Sequence, residues 1–336
     1  MMSFQLACSK GVLSFELYFT EFGFFRYDCL LMPSINQFTR FFQSQSRILM
    51  IFTAMLFGAL FPQFGAYSNW VQYLLVMMLF FSFAQLDVRQ LQFPKQLLLI
   101  TIANVLIGIG VYVTIAPFDT GLAQAAFVTS IAPTAISSTV ITGFLGRNVS
   151  FVSTAVLLTN LTIAVVVPWI MPALQITTSS ISTLQILTPV LTTLLIPLVG
   201  SRFLFVLPVS TQKWVLGGAK YSFILWLATL VIVVAKAFQF IESQPDIDPI
   251  RLVQIAVLSL ILCVMNFWVG YQLGGKEFAQ EASQALGQKN NSFVVWLALT
   301  FINPLAAMGP TFYILYHNLY NSWQIIQHER QGKDID

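Results

Sequence analysis

The sequence predicts an all-α polytopic membrane protein: ten transmembrane helices in two inverted five-helix repeats, with the fourth and ninth helices broken. Three observations lead there. Of 336 residues, 57% are hydrophobic and only 9% charged, with a mean hydropathy of +0.78, whereas soluble domains carry about a quarter charged residues. Apolar runs of about 17 to 25 residues recur along the chain, the length of a membrane-crossing helix and unlike the short alternating strands of a barrel. Two of these runs carry polar blocks at matching places in the two halves.

In chain order the spans read 47–65, 69–86, 95–116, 121–145, 149–172, 184–206, 218–239, 251–274, 278–301 and 304–325. Charge tests the count. One side receives Lys10, Arg26, Arg40, Arg47, Arg89, Lys95, Arg147, Arg202, Lys213, Lys220, Lys276, Arg330 and Lys333, and the other only Arg251. Lys236 and Lys289 fall within spans. Basic loops stay cytoplasmic, so this asymmetry predicts a multi-pass protein of the cell membrane, plasma or bacterial inner, with both termini inside. Lys236, near the outer end of its helix, has a stem long enough to carry its amine to the interface.

Residues 1–46 fit this plan poorly, because SFELYFTEFGFFRYDCLLM is apolar and aromatic yet holds Glu16, Glu21, Arg26 and Asp28. It lacks the basic start and uninterrupted apolar core of a secretory signal. Two readings stand: an interfacial segment, or translation that begins near Met32.

The fourth span contains IAPTAISSTVITG, in which Pro133 removes a backbone donor and Thr134, Ser137, Ser138, Thr139 and Thr142 crowd the helix. The ninth contains Gly287-Gln288-Lys289-Asn290-Asn291-Ser292. Each is the fourth span of its half. A five-span repeat enters the membrane in opposite directions, and paired interrupted helices in inverted halves mark a transporter's midplane site. Breaks at membrane depth survive only where the freed backbone lines a cavity or is buried in protein. An ionised lysine there costs about 2.5 to 3.5 kcal/mol, so Lys289 requires a partner.

At these residues the chain resembles the bile acid:sodium symporter family, ten-helix secondary transporters of organic anions, from about Arg47 to Trp323. APTAISSTVITGFLGRNVS (132–150) is similar to the family's PGGTASN crossover motif with the short loop and helix after it. ALGQKNNSFVVWLAL (285–299) is similar to the EVGMQNSG segment, and YHN (316–318) to a WHN at the end of the last helix. The resemblance implies panel helices in 47–92 and 176–245, core helices in 93–175 and 246–325, a cytoplasmic tail at 326–336, and a crossing of the two broken helices in the core.

The resemblance also implies two sodium sites behind the crossing, and at those positions this chain departs. Ser138 matches the crossover serine, but Thr139 replaces its asparagine, Val152 and Val156 replace hydroxyl ligands, and Ala285 replaces the shared glutamate. Lys289 stands where the second site has a glutamine, followed by Asn290, and Asn104 matches a third-helix glutamine. Glu281, one turn before Ala285 on the same face, is the one nearby carboxylate that would restore the missing charge. The expectation is that the Lys289 ammonium replaces an ion, held by oxygens of Asn104, Thr139, Asn290 and unwound backbone, so that transport is sodium-independent or proton-coupled. The candidate site is Asn104, Pro133, Thr134, Ser137, Ser138, Thr139, Gln288, Lys289, Asn290, Asn291 and Ser292, with a small organic anion as substrate. Sodium is the one inorganic ion the resemblance brings in, and the departures count against it. An ordinary sodium-coupled anion symporter and a ligand-binding sensor are the alternatives.

Other classes find little support. The net charge of +3 comes with no basic cluster or aromatic-basic interleaving, so no nucleic-acid partner is expected. Cys8, Cys29 and Cys263 lack ligand spacing. No HExxH, GxSxG, P-loop or carboxylate pair marks an enzyme, and His317 reads as a helix-end polar contact. Asn148 and Asn160 begin N-x-[ST] triplets that fall in a cytoplasmic turn and inside a span, and read as chance.

Overall fold

The computed structural model describes residues 4–9, 12–17, 26–29, 49–86, 91–177, 181–243 and 250–333. Ahead of the helical body the backbone pairs into an antiparallel meander of β1 (Phe4–Ser9), β2 (Val12–Leu17) and β3 (Arg26–Cys29), an element the all-α reading did not include. Met32, the expected alternative start, lies outside the described residues.

From Leu49 onward the chain is helical. α1 (Leu49–Leu60) runs into a 3₁₀ turn at Pro62–Tyr67. Then come α2 (Trp70–Ala84), α3 (Lys95–Ile115), α4 (Thr120–Ile131), α5 (Ser137–Phe144), α6 (Val149–Ala173) and α7 (Thr183–Leu204). α8 (Val209–Gly217) is a short helix the span reading missed, because its nine residues VSTQKWVLG are too polar to register as a span. α9 (Ser222–Glu242), α10 (Ile250–Gly287), α11 (Asn291–Phe301) and α12 (Met308–Lys333) complete the body. Among the described residues five helices are long and apolar enough to cross a membrane, and large apolar side chains such as Leu98, Leu106, Trp169 and Trp268 stay exposed along them. This is an α-helical membrane protein.

Side chains start the helices on either side of the breaks. Asp119 accepts from the Leu122 N–H at 2.9 Å to open α4, Asn148 from Phe151 N–H at 3.1 Å to open α6, and Asn290 from Phe293 N–H at 3.3 Å to open α11. Asp119 also pairs with Arg251 at the start of α10. Burial raises the Asp119 pKa, but the Leu122 N–H, Arg251 and the Gly121 N–H more than offset it, holding the group below its ordinary 3.8. A depressed carboxylate stabilises the fold above its unfolded pKa, and that contribution is lost as pH falls through the folded value. Asp119→Asn, which keeps the cap, is therefore expected to cost up to about 1 kcal/mol at pH 7, the scale of a partly exposed pair. The difference from wild type should shrink in thermal scans below pH 3.8.

α10 is two helical arms folded against each other. Gly275 (φ 64, ψ −151) makes the reversal in a conformation only glycine adopts readily. Gly270 lets the arms touch, since a Cβ there would lie 2.5 Å from the Ala282 carbonyl oxygen. Ser283 Oγ then donates to Phe267 O at 2.9 Å. Nothing lies within 4 Å of a Cβ placed at Gly275, so Gly275→Ala is expected to cost about 1 to 3 kcal/mol of backbone strain alone, read as a lower thermal midpoint in detergent.

The packing sorts into two sets. α2 lies against α7 and α9, and α9 against the 3₁₀ turn, while α3, α4, α10 and α12 pack mainly on one another; α6 touches α3 and α10 but lies most extensively against α7 and so links the two sets. A buried apolar cluster joins the sets through α2 (Val71, Leu75, Leu79), α7 (Ile186, Val190) and α11 (Phe293, Trp296, Leu297).

Candidate functional site

The two polar blocks interrupt their helices and pair with each other. At the end of α4, Ala132 (φ −51, ψ 133) leaves helical geometry, as the residue before a proline tends to. After the second arm of α10 the chain likewise leaves helical geometry at 288–290, with Asn290 at φ −75, ψ 75. Thr134 and Lys289 form an antiparallel bridge, with Ala135 N–H donating to Gln288 O at 2.9 Å and Asn290 N–H to Pro133 O at 2.7 Å.

Side chains satisfy what remains of the freed backbone. Thr159 Oγ1 accepts from Thr134 N–H at 3.0 Å, and Asn160 Nδ2 donates to Thr134 O at 3.0 Å. Thr134 Oγ1 donates to Ala285 O at 2.6 Å, and the Tyr313 hydroxyl to Gly287 O at 2.7 Å. The breaks are built features, because each buried backbone group left open at this depth would cost several kcal/mol.

Lys289 is 2% exposed. Its ammonium donates to Asn104 Oδ1 and to Ser130 O at 3.0 Å, while Asn104 Nδ2 donates to Ile131 O at 3.3 Å. Ser130 and Ile131 close α4, where helix carbonyls lack intrahelical partners and the macrodipole is negative. The amine thus lies between two acceptors, a carbonyl at a helix C-terminus and one amide oxygen. Hydrogen bonds to a charged group are worth about 1.5 to 3 kcal/mol each, so two of them offset an insertion cost of about 2.5 to 3.5 kcal/mol. No acidic side chain pairs with Lys289 among the described residues.

Two of its expected oxygens are engaged elsewhere. Thr139 Oγ1 donates to Ile136 O at 2.7 Å, and the Asn290 side chain caps α11. Ser138 turns inward to Ala135 O at 2.5 Å. Hydroxyls in a first helical turn bond readily to carbonyls three residues back, which is why a match of residue type does not place them. Val152 and Ala285, where the resemblance would put ion ligands, lie in one buried apolar cluster with Ile100, Phe151 and Leu286.

A cavity of about 340 Å³ lies against the paired breaks. Thr134, Ser137, Lys289, Asn290, Asn291 and Ser292 form one wall, and α2 (Leu75, Met78, Leu79, Phe83) with the start of α9 (Ser222, Phe223, Trp226) the other. Gln288 sits just behind, 1% exposed, accepting from Ser137 Oγ at 3.4 Å and donating to Gln284, which donates to Gln324 Oε1 at 2.6 Å. Asn104, Pro133, Ser138 and Thr139 support the crossing without lining the cavity.

The cavity also takes in two residues the sequence reading set aside. Asn160 holds the crossing through Thr134, and His317 reaches Asn291 Nδ2 with its Nδ1 at 3.3 Å. An asparagine inside the apolar run of α6 was the available signal for the first, and the YHN likeness for the second.

Comparison of the chain with protein-family models and with curated proteins finds no match.

Proposed function

We propose that this protein is a secondary active transporter of a small organic anion, working by alternating access about the paired breaks. The observation that carries the reading is the antiparallel bridge between Thr134 and Lys289 at the wall of a cavity of about 340 Å³. A soluble fold has no need of two broken helices that repair each other. In a membrane such a pair supplies a polar site at a depth where none otherwise exists.

In this reading α4 with α5, and the second arm of α10 with α11, are the fourth and ninth helices of two inverted repeats. α1, α2, α7 and α9 form the panel, and the remaining long helices the core. The cavity wall includes Gln85 and Ser222, at helix ends next to the Lys- and Arg-rich loops, so this arrangement is open to the cytoplasm. In this reading the contact of α11 with α2 closes the opposite, outer side. An anion enters between panel and core and meets the N-terminal ends of α5 and α11, whose partial positive charge suits it. Lys289 supplies in place the charge that a sodium ion would bring, so transport runs without sodium or with protons.

Uptake into proteoliposomes tests the reading, with labelled cholate, taurocholate and hexanoate as probes under sodium, potassium or proton gradients. Uptake of at least one probe without sodium is expected. Strict sodium dependence would instead favour an ordinary symporter, and binding without flux in every gradient a sensor.

A further inference from the structure

Buried polar atoms that lack a partner gather at the cavity. Of the six buried side-chain oxygens without a hydrogen bond among the described residues, three belong to residues that line it: Asn160 Oδ1, Asn291 Oδ1 and Ser222 Oγ. Such atoms are rare in folded proteins, because each gives up its bond to water for nothing in return. Where several meet at one cavity, the partner they lack is a group that enters it.

Asn160 carries the argument furthest. It lies on α6, 4% exposed, and the hydrogens of its Nδ2 go to Thr134 O at 3.0 Å and to Val156 O at 2.7 Å. Turning the amide over would set Oδ1 against two carbonyl oxygens, so the orientation of the side chain is fixed. The oxygen alone is left to serve a ligand, and it can only accept. Asn291 repeats the pattern at 3% exposed, with Nδ2 on His317 Nδ1 at 3.3 Å and Oδ1 without a partner.

The charge around these acceptors says which donor they suit. Lys289 is the one lysine or arginine of the described lining, which holds no carboxylate. An ammonium on the ligand would meet a like charge with nothing to neutralise it. A hydroxyl is neutral and donates one hydrogen, the match for an amide oxygen. The facing wall of Leu75, Met78, Leu79 and Phe83 is apolar, so nothing on that side competes for it.

We propose that the transported anion carries a hydroxyl group and that Asn160 Oδ1 accepts from it, with Asn291 Oδ1 as a second acceptor. The inference rests on the transporter reading and adds the chemistry of the substrate. The acid group goes to the N-terminal ends of α5 and α11, and the hydroxyl to the asparagine oxygens beside the paired breaks. A substrate with the hydroxyl gives this oxygen the bond it lacks, whereas one without it dries the cavity and leaves the oxygen bare. Selection therefore runs against hydrophobicity, since the apolar wall by itself favours the acid that has no hydroxyl.

Uptake by the full chain in proteoliposomes decides it. The labelled probes are hexanoate with its terminal hydroxy, methoxy and amino analogues, and cholate beside the same sterol acid without ring hydroxyls. In wild type the hydroxylated acid is expected to half-saturate uptake at about a ten- to hundredfold lower concentration than its bare counterpart. The methoxy analogue, which keeps the oxygen but has no donor, should do no better than hexanoate. Asn160→Leu, of similar size and without polar atoms, should bring hydroxylated and bare acids level. Should that variant not fold, Asn160→Thr decides, because its hydroxyl can bond Val156 O as Thr159 bonds Ala155 O at 2.7 Å, which withdraws the acceptor to the helix. Three results overturn the inference and leave the transporter reading standing: a hydroxylated acid no better than the bare one in wild type, a methoxy or amino analogue as good as the hydroxy one, or a preference that survives the variant. Transport of no probe by wild type under any gradient removes the transporter reading and this inference with it.

Discussion

Lys289→Gln is expected to turn a sodium-indifferent protein into one that sodium stabilises. Glutamine keeps an amide donor within reach of Asn104 Oδ1 and Ser130 O but removes the charge from the C-terminal end of α4. In the absence of added cation the loss of charged hydrogen bonds at a buried site should lower stability by about 1 to 3 kcal/mol. A site vacated by an ammonium and lined by a helix C-terminus and an amide oxygen suits a small hard cation. At a hundredfold excess over its dissociation constant, sodium would return about 2.7 kcal/mol. The measurement is the thermal midpoint of purified protein in sodium, potassium and N-methylglucamine chlorides. Wild type should show one midpoint in all three salts and the variant a sodium-specific rise. If the variant also behaved alike in all three, and uptake kept its rate and ion dependence, Lys289 would not be a resident cation.

The second large effect is steric. Gly287 is the last residue of the second arm before the break, and a Cβ there would sit 2.3 to 2.5 Å from the Phe267 ring of the first arm. Phe267 is 4% exposed and has no free direction in which to retreat. Gly287→Ala should therefore cost about 1 to 3 kcal/mol, the range for overpacking. Because Gly287 O also accepts the Tyr313 hydroxyl, a shift of the arm should reach the crossing and depress transport as well as stability. Phe267→Leu is the control. Alone it leaves a void and destabilises, but combined with Gly287→Ala it should cost less than the two single changes added together. Additive losses would mean that the arms do not press on each other at this point.

Much of this was legible in the sequence, for a physical reason: a bilayer tolerates few backbone solutions. Apolar run length located several long helices to within a few residues, as at 95–116 against Lys95–Ile115, but not the end of α12, which runs on to Lys333 through polar residues that carry no apolar signal. Pro133 and the polar run at 287–292 marked the breaks, because both defy what a lipid-facing helix accepts. Side-chain direction was not legible. Thr139 and Asn290 have the right chemistry to hold an ammonium, yet in their own first turns nearer backbone groups claim them. Asn104, on a regular helix facing the end of α4, had no such local partner and meets Lys289 as expected. Asn148 and Asn160 read only as chance N-x-[ST] triplets because a lone asparagine looks the same whether it caps a helix, braces a crossing or does neither. The strands β1 to β3 follow no periodicity that the apolar, charge-interrupted N-terminal stretch made evident.

The mutual repair of the two breaks bears on how the protein is made. Residues 132–136 leave the ribosome about 150 residues before their pairing partners at 288–290, at roughly 5 to 20 residues per second. For on the order of ten seconds the first break must wait in the insertion machinery or the bilayer without the carbonyl and amide groups that later close it. A nascent chain halted after α9 should therefore hold α4 and α5 loosely and be open to quality-control proteases, while a chain that has passed Asn291 should resist them. The last quarter of the polypeptide thus completes membrane insertion for the first half, and premature termination there would release an unfinished core rather than a shortened but closed fold.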